Sequence, residues 1–222
     1  MTVSLVFLTI LMAVLAGWLL RQSFNVRPWE PQSAPVAHGS HLPPAMTAGR
    51  VGLVVFLAVA TSLFALTISA YMMRMHASGD WRPLPIPGLL WFNTGALLLG
   101  SIALQWAWNA VRRNDESGLT IGLMVGGACS LVFILGQLLV WYQLSAAGYY
   151  MAGNPANSFF FMLTALHGLH LLGGLIAWGR LLPKVWRGVA PMRVCSSVEL
   201  CALYWHYLFA VWIILFGLVL SG

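Results

Sequence analysis

Long apolar runs separated by short polar segments make up most of this chain. A helix needs about 20 predominantly apolar residues to cross the hydrocarbon core of a bilayer. Six runs reach this length, at residues 3–20, 51–73, 88–111, 118–143, 157–179 and 197–220. The pattern predicts an all-α fold, a polytopic membrane helix bundle with six transmembrane helices.

The first run stands apart from the other five. No basic segment precedes it and no small-residue cleavage site follows it, so we expect a retained helix rather than a signal peptide. The polar stretch between Arg21 and Arg50 contains five prolines and is expected to be extended and irregular. We therefore predict two parts, an N-terminal transmembrane helix with a Pro-rich linker at residues 1–49 and a five-helix core at residues 50–222.

Charge is scarce and unevenly placed. Of the 222 residues, 60% are hydrophobic and 7% are charged, whereas about a quarter of the residues in a soluble domain are charged. The mean hydropathy is +0.83, and no charged residue lies between Glu116 and Arg180. The 11 basic residues are spread among the connections, so the net charge of +6 does not indicate a nucleic-acid-binding protein. These observations predict an integral membrane protein.

Orientation follows from the distribution of Lys and Arg, which are more frequent in cytoplasmic connections. Nine of these residues belong to the first, third and fifth connections, and two, Arg74 and Arg82, belong to the second and fourth. We expect both termini on the non-cytoplasmic side. The expected location is the cytoplasmic membrane of a bacterium.

Three histidines fall within predicted spans. His167 and His170 are three residues apart and share one helix face. His206 lies in the next span at a depth similar to that of His170, about 13 Å at 1.5 Å per residue. A shared polar layer is therefore expected, with neighbouring Gly168, Gly173 and Gly174 allowing close helix approach. The other members expected in this layer are Thr164, Tyr204, Glu199, Asn93 and Gln137.

Two interpretations of these histidines are open at this point. Three imidazoles can bind haem or a transition metal, which predicts an independent membrane haem or metal protein. The simpler interpretation is that they form hydrogen bonds between helices, because polar groups at membrane depth normally face protein partners. The absence of a clear further ligand or an orienting carboxylate favours hydrogen bonding.

The remaining polar and aromatic residues give little sign of chemistry. Glu199 is predicted to begin the last helix, where the helix dipole stabilises a negative charge and Arg180, Lys184 or Arg193 can neutralise it. A transporter or proton pump needs ionisable groups inside the bilayer, so neither is favoured. The three cysteines are not spaced as metal ligands usually are.

Six tryptophans near predicted span ends are expected to form interfacial belts: Trp91, Trp106, Trp141, Trp178, Trp205 and Trp212.

Three segments together resemble the subunit III family of cytochrome c and quinol oxidases. Residues 158–174, SFFFMLTALHGLHLLGG, resemble the pattern SxFFxxTxxHGxHxxxG. Residues 198–212, VELCALYWHYLFAVW, resemble VExxxxYWHFxxxVW. Residues 90–106 are similar to a third helix of the family, and Gln137 matches a weaker fourth position. The segments occur in the family's order and extend over about residues 50–220.

The resemblance implies a non-catalytic subunit of an oxygen-reducing terminal oxidase in aerobic respiration. It implies no catalytic, cofactor-binding or metal-binding residue on this chain, with the haems and copper held by partner subunits. Subunit I is the expected main contact, and subunit II and other respiratory-chain subunits are expected as further partners. A helix cleft is expected to bind phospholipid, with Arg50 and His170 as candidate lipid contacts.

The chain also departs from the family pattern. Acidic residues are usual at three buried positions that are occupied here by Ala60, Val140 and Phe209. The resemblance therefore does not carry the role of those acids to this chain. The predicted helix count of six also differs from the family's common forms of five and seven.

Overall fold

A computed structural model describes residues 48–77, 79 and 81–221 of the chain. These residues form five α-helices and no β-strand. In chain order the helices are α1 Ala48–Ala77, α2 Leu89–Arg112, α3 Glu116–Ala146, α4 Pro155–Trp186 and α5 Pro191–Ser221. Each helix is long and apolar enough to cross a membrane. The prediction of an all-helical membrane protein is confirmed for five spans, whereas the predicted span at 3–20 lies outside the described residues.

The chain divides into two compact units with a boundary after Met73. Helix α1 lies in the first unit up to that boundary, and its Thr61 and Thr67 hydroxyls donate to carbonyls of the same helix. The second unit contains α2 to α5. Within it, α2 packs against α3 and α5, and α4 packs against the same two helices. The four helices therefore form a closed ring around one core, which is the arrangement of a four-helix bundle.

The helices extend beyond the predicted apolar runs. Helix α4 continues to Trp186, seven residues past the predicted end, and α5 begins at Pro191, six residues before the predicted start. Hydropathy detects the part of a helix that lies in hydrocarbon, but the backbone hydrogen-bond ladder continues through polar residues outside it. The placement of Glu199 in a first turn is consequently wrong, since it lies eight residues after Pro191. The helix dipole acts mainly on the first turn, so it does not explain this carboxylate.

Side-chain caps fix the starts of two helices. Asp115 precedes α3 and accepts a hydrogen bond from the Gly118 amide at 2.9 Å. Asn154 precedes α4 and accepts from the Ala156 amide at 3.2 Å, while its Nδ2 donates to the carbonyl of Arg82 at 2.6 Å. Helix N-termini have amides without intrahelical acceptors, and Asp and Asn oxygens satisfy them well.

Glycines let α2 and α3 approach closely. A Cβ atom at Gly122 would lie 2.8 Å from both the carbonyl oxygen of Ala103 and the Cβ of Ala107. A Cβ at Gly126 would lie 2.6 Å from the Leu104 side chain. Small residues four apart on one helix face are typical of close packing between membrane helices, where lipid gives little hydrophobic driving force. The α2–α3 contact therefore depends on the absence of side chains at these positions.

Candidate functional site

His167 is completely buried and connects α4 to α5. Its Nε2 donates a hydrogen bond to the carbonyl oxygen of Leu208 at 3.1 Å. The imidazole packs against the rings of Phe133 and Trp212, with centroid distances of 5.4 and 5.1 Å. A carbonyl can only accept, so Nε2 carries the proton, and Nδ1 has no hydrogen-bond partner. The ring is thus a neutral interhelical donor.

His206 connects α5 to α2 through both ring nitrogens. Its Nε2 lies 2.8 Å from Oε1 of Gln105, and its Nδ1 contacts the hydroxyl of Ser101. Because the amide oxygen only accepts, Nε2–H donates to it and the Ser101 hydroxyl donates to Nδ1. Ser101 and Gln105 are one turn apart on α2, so a neutral imidazole spans both positions.

His170 uses its polar atoms differently. Its Nδ1 donates to the carbonyl of Leu166, one turn earlier on α4, at 2.8 Å. Its own carbonyl accepts from the Tyr204 hydroxyl of α5 at 2.8 Å. The three histidines therefore have separate partners. Within the described ranges, no group of three or more His, Cys, Asp or Glu residues is placed to hold a metal ion. This geometry does not favour the haem or metal interpretation.

Four of the tryptophans donate hydrogen bonds to a neighbouring helix. The indole N–H groups donate to Ser130 from Trp205 at 2.7 Å and to Thr94 from Trp212 at 3.0 Å. The other two donors are Trp141, to the Thr164 hydroxyl at 3.1 Å, and Trp178, to the Leu123 carbonyl at 2.9 Å.

The interfacial-belt prediction is therefore wrong for Trp205 and Trp212, which are buried in the core. Trp141 and Trp178 are partly buried and bonded to a neighbouring helix, and for them the interfacial position stays a prediction. Tryptophan has a large apolar ring system and a single N–H donor, which suits contacts between helices as well as the membrane–water interface. The position of a tryptophan along the span does not distinguish these two uses. Trp91 and Trp106 are 60% and 50% exposed, and for them also the interfacial position stays a prediction.

The hydroxyl groups that accept from tryptophan also donate to their own helices. Ser130 donates to the Gly126 carbonyl at 2.8 Å, and Thr164 donates to the Phe160 carbonyl at 2.7 Å. Thr94 donates to the carbonyl four residues earlier at 2.8 Å. Each hydroxyl thus bonds both within its own helix and to a neighbouring helix. Both are needed in an environment where water cannot replace a missing partner.

Asn93 and Gln137 form a second buried contact between α2 and α3. Both side chains are buried, and Nδ2 of Asn93 donates to Oε1 of Gln137 at 3.4 Å. A Cβ atom at Gly136 would lie 2.1 Å from Oδ1 of Asn93. The glycine beside the glutamine therefore leaves room for the asparagine side chain.

The structure places all eight members of the predicted polar layer in the four-helix unit, but as several pairs rather than one cluster. Glu199 is half-buried on α5 and makes polar or electrostatic interactions there. Arg50 lies half-exposed in the first turn of α1, in the other unit.

Of the three glycines expected to allow close helix approach, Gly174 does so, because a Cβ atom there would lie 2.7 Å from the Tyr204 side chain. The expectation is not met at Gly168 and Gly173, where an added Cβ would meet no described atom within 4 Å.

Sequence reasoning missed several hydrogen-bond partners. Gln105 and Ser130 were not predicted as members of the layer, and Thr94 and Ser101 were covered only by the resemblance of residues 90–106 to a helix of the family. The available signal was the spacing of Ser101 and Gln105, four residues apart in an otherwise apolar span. Ala60 and Val140, the residues at two positions where the resemblance led us to expect acids, are both buried.

Comparisons with known proteins agree with the motifs. The chain matches the family model for cytochrome c oxidase subunit III over residues 10–220. It is 30% identical to cytochrome c oxidase subunit 3 of Synechocystis sp., over 82% of this chain and 78% of that protein. It is 27% identical to cytochrome c oxidase subunit 3 of Thermostichus vulcanus, over 76% of this chain and 85% of that protein. The chain therefore belongs to the cytochrome c oxidase subunit III family, the non-catalytic third subunit of haem-copper terminal oxidases.

Proposed function

We propose that this chain braces subunit I, the large catalytic subunit of the oxidase, and does not itself carry electrons or protons. The main support is the way in which buried polar groups are used. His167, His206 and the Trp205–Ser130 pair each join two helices. Bonds of this kind stiffen a bundle and leave its outer surface free for lipid and protein contacts.

The outer surface is consistent with such a role. Leu99 and Ile102 of α2 and Leu169 and Ile176 of α4 are each more than half exposed. Large apolar side chains at membrane depth are covered by lipid tails or by another membrane subunit. We propose that part of this surface contacts subunit I, with subunit II and other respiratory-chain subunits as further neighbours. The haems and copper belong to those partners.

We further propose that the chain binds phospholipid in a helix cleft. Arg50 is a candidate for contact with a lipid phosphate, because a half-exposed guanidinium at a helix start suits an anionic headgroup. His170 is the second candidate, since it is only partly buried. Substituting Arg50 with Gln and measuring phospholipid retained by the purified complex tests the first assignment, and unchanged retention would contradict it.

The proposed topology has six transmembrane helices, one in residues 1–49 and five in the core at residues 50–222. We propose that both termini lie outside the cytoplasm of a bacterial cell, in the cytoplasmic membrane. The α2–α3 and α4–α5 connections lie at one end of the four-helix unit, since consecutive helices joined by short turns run antiparallel. Those connections and their flanking turns carry most of the unit's basic residues, which supports a cytoplasmic location for that end.

Co-purification tests the proposed function most directly. An affinity tag on this chain is expected to recover subunits I and II, identified by mass spectrometry, together with the haem absorbance of the oxidase. The chain purified alone is expected to lack a stoichiometric haem band. A stoichiometric haem that is lost on substitution of His167 or His206 would refute the bracing role and restore the metal-protein alternative.

A further inference from the structure

Helix α2 carries a polar stripe along one side of an otherwise apolar span. Ser101, Gln105, Asn109 and Arg112 follow one another at intervals of four, four and three residues, and residues with this spacing share one face of a helix. Gln105 lies seven residues before Arg112, which is about 10 Å along the helix axis. The stripe therefore extends from the end of the helix into the hydrocarbon region, where polar groups normally face protein.

The middle of the stripe is bonded to α5. His206 contacts the Ser101 hydroxyl through Nδ1 and donates from Nε2 to Oε1 of Gln105 at 2.8 Å. The amide oxygen of Gln105 is thus engaged within the chain, and the other end of the amide, Nε2, is a donor. Among the residues that the structure describes, no acceptor is bonded to this nitrogen. Gln105 therefore presents a hydrogen-bond donor to whatever lies beside it.

This donor lies on the outer surface of the four-helix unit, at the seam between α2 and α5. Gln105 and His206 are both half-buried. Apolar side chains that are exposed flank them on both helices. We call this surface the α2–α5 face, and it consists of Leu98, Ile102 and Gln105 of α2 with His206, Ala210 and Ile213 of α5.

The depth of the donor limits what can cover this face in a membrane. Lipid tails have no acceptor, and a polar group without a partner in hydrocarbon is costly. Lipid headgroups and water belong to the interface, about 10 Å away toward Arg112. A spanning helix of another subunit can bring an acceptor to this depth, and side-chain hydrogen bonds commonly join membrane helices. The backbone of such a helix is already paired, so the acceptor is a side-chain oxygen.

Given the bracing role proposed above, on which this assignment rests, we propose that the α2–α5 face is the contact surface for a spanning helix of a partner subunit. That helix presents a side-chain oxygen to Nε2 of Gln105. His206 and Ser101 act as positioning residues, because their bonds fix which end of the Gln105 amide is available to the partner.

Photo-crosslinking in the assembled oxidase tests the surface. Ile102 is 56% exposed and one turn from Gln105, and a benzophenone amino acid in its place is expected to crosslink to a partner subunit, identified by mass spectrometry. Ile213 of α5 is a second position with the same expectation. Leu135 of α3 is the matched control, because it is 61% exposed and the residues one turn away on α3 are apolar. It is expected to crosslink to lipid.

The outcomes separate this surface from the bracing role. Crosslinks from Ile102 and Ile213 to lipid alone, or to a second copy of this chain, overturn the α2–α5 face as the contact surface and leave the bracing role intact. Failure of the tagged wild-type chain to recover any other oxidase subunit instead refutes the bracing role itself.

A pair of substitutions tests the hydrogen bond. Gln105→Met removes the donor and is expected to weaken retention of this chain in the detergent-purified complex about threefold, the scale of a single hydrogen bond between membrane helices. Ser101→Ala is the matched control, because it also removes one bond of His206 but Ser101 is buried and does not reach the outer surface. Equal retention of the two variants overturns the assignment of Gln105. The crosslinks from Ile102 and Ile213 decide the question if Gln105→Met fails to assemble.

Discussion

From the close contact between α2 and α3 we predict that replacing Gly122 with alanine lowers the stability of the protein. In Gly122→Ala the new Cβ would lie 2.8 Å from the Ala103 carbonyl oxygen and 2.9 Å from the Ala107 backbone nitrogen. Ordinary contacts begin at 3.4 Å, so the helices must separate by about 0.6 Å locally. Backbone atoms cannot turn aside as a flexible side chain can. Overpacking of this kind costs about 1–3 kcal/mol.

A helix-interior alanine is favoured over glycine by up to about 1 kcal/mol, which offsets part of that cost. With the full offset, the expected net destabilisation of Gly122→Ala is about 0–2 kcal/mol. For a chain of this size, each kcal/mol lowers the midpoint of thermal unfolding by about 2–4 °C. The midpoint is thus expected to fall by up to about 8 °C, and to lie below that of a glycine-to-alanine variant that meets no clash.

The assay is thermal unfolding of the purified subunit in mild detergent, followed by circular dichroism. Gly217→Ala is the matched control, because an added Cβ on this exposed face of α5 meets no described atom within 4 Å. The control is expected to leave the midpoint unchanged or to raise it slightly. The argument from close helix approach is refuted if Gly122→Ala unfolds at the same temperature as the control or above it.

Three further substitutions test individual hydrogen bonds. Ser130→Ala removes the acceptor of the Trp205 indole and is expected to lower stability by about 0.6–2 kcal/mol. Ser62→Ala removes an exposed bond within one helix and is expected to be neutral, so equal effects would contradict this assignment. His206→Leu is expected to weaken co-purification of the oxidase subunits by breaking the α2–α5 connection; normal assembly with complete loss of oxygen consumption would refute its structural role. Asn154→Ala removes a helix cap and is expected to cost about 1 kcal/mol and to speed hydrogen exchange at the start of α4, whereas unchanged exchange rates there would count against the cap.

The helices were predictable from sequence because a bilayer imposes a strong and simple requirement. A spanning segment must be apolar over about 20 residues and must satisfy its backbone internally. Five predicted spans are helices in the structure. Their ends were less predictable, as the seven extra residues of α4 and the six of α5 show. Hydropathy does not report a helix that continues into the headgroup region.

The pairing of polar groups was predictable in depth but not in direction. Counting residues predicts a similar depth for His170 and His206, because each residue adds 1.5 Å along the helix axis. Each residue also turns the helix by about 100°, so His206 and Leu208 point to nearly opposite sides of α5. His167 meets the backbone at Leu208, while His206 faces α2. Which side of a helix meets which neighbour is decided by close contacts such as that of Gly122 with Ala107. Equal depth is therefore necessary for a shared metal site but is not sufficient. The side chains must also point into the same space between helices. His206 and the Leu208 position that His167 contacts are about 200° apart around the axis of α5, so the two histidines form independent interhelical bonds.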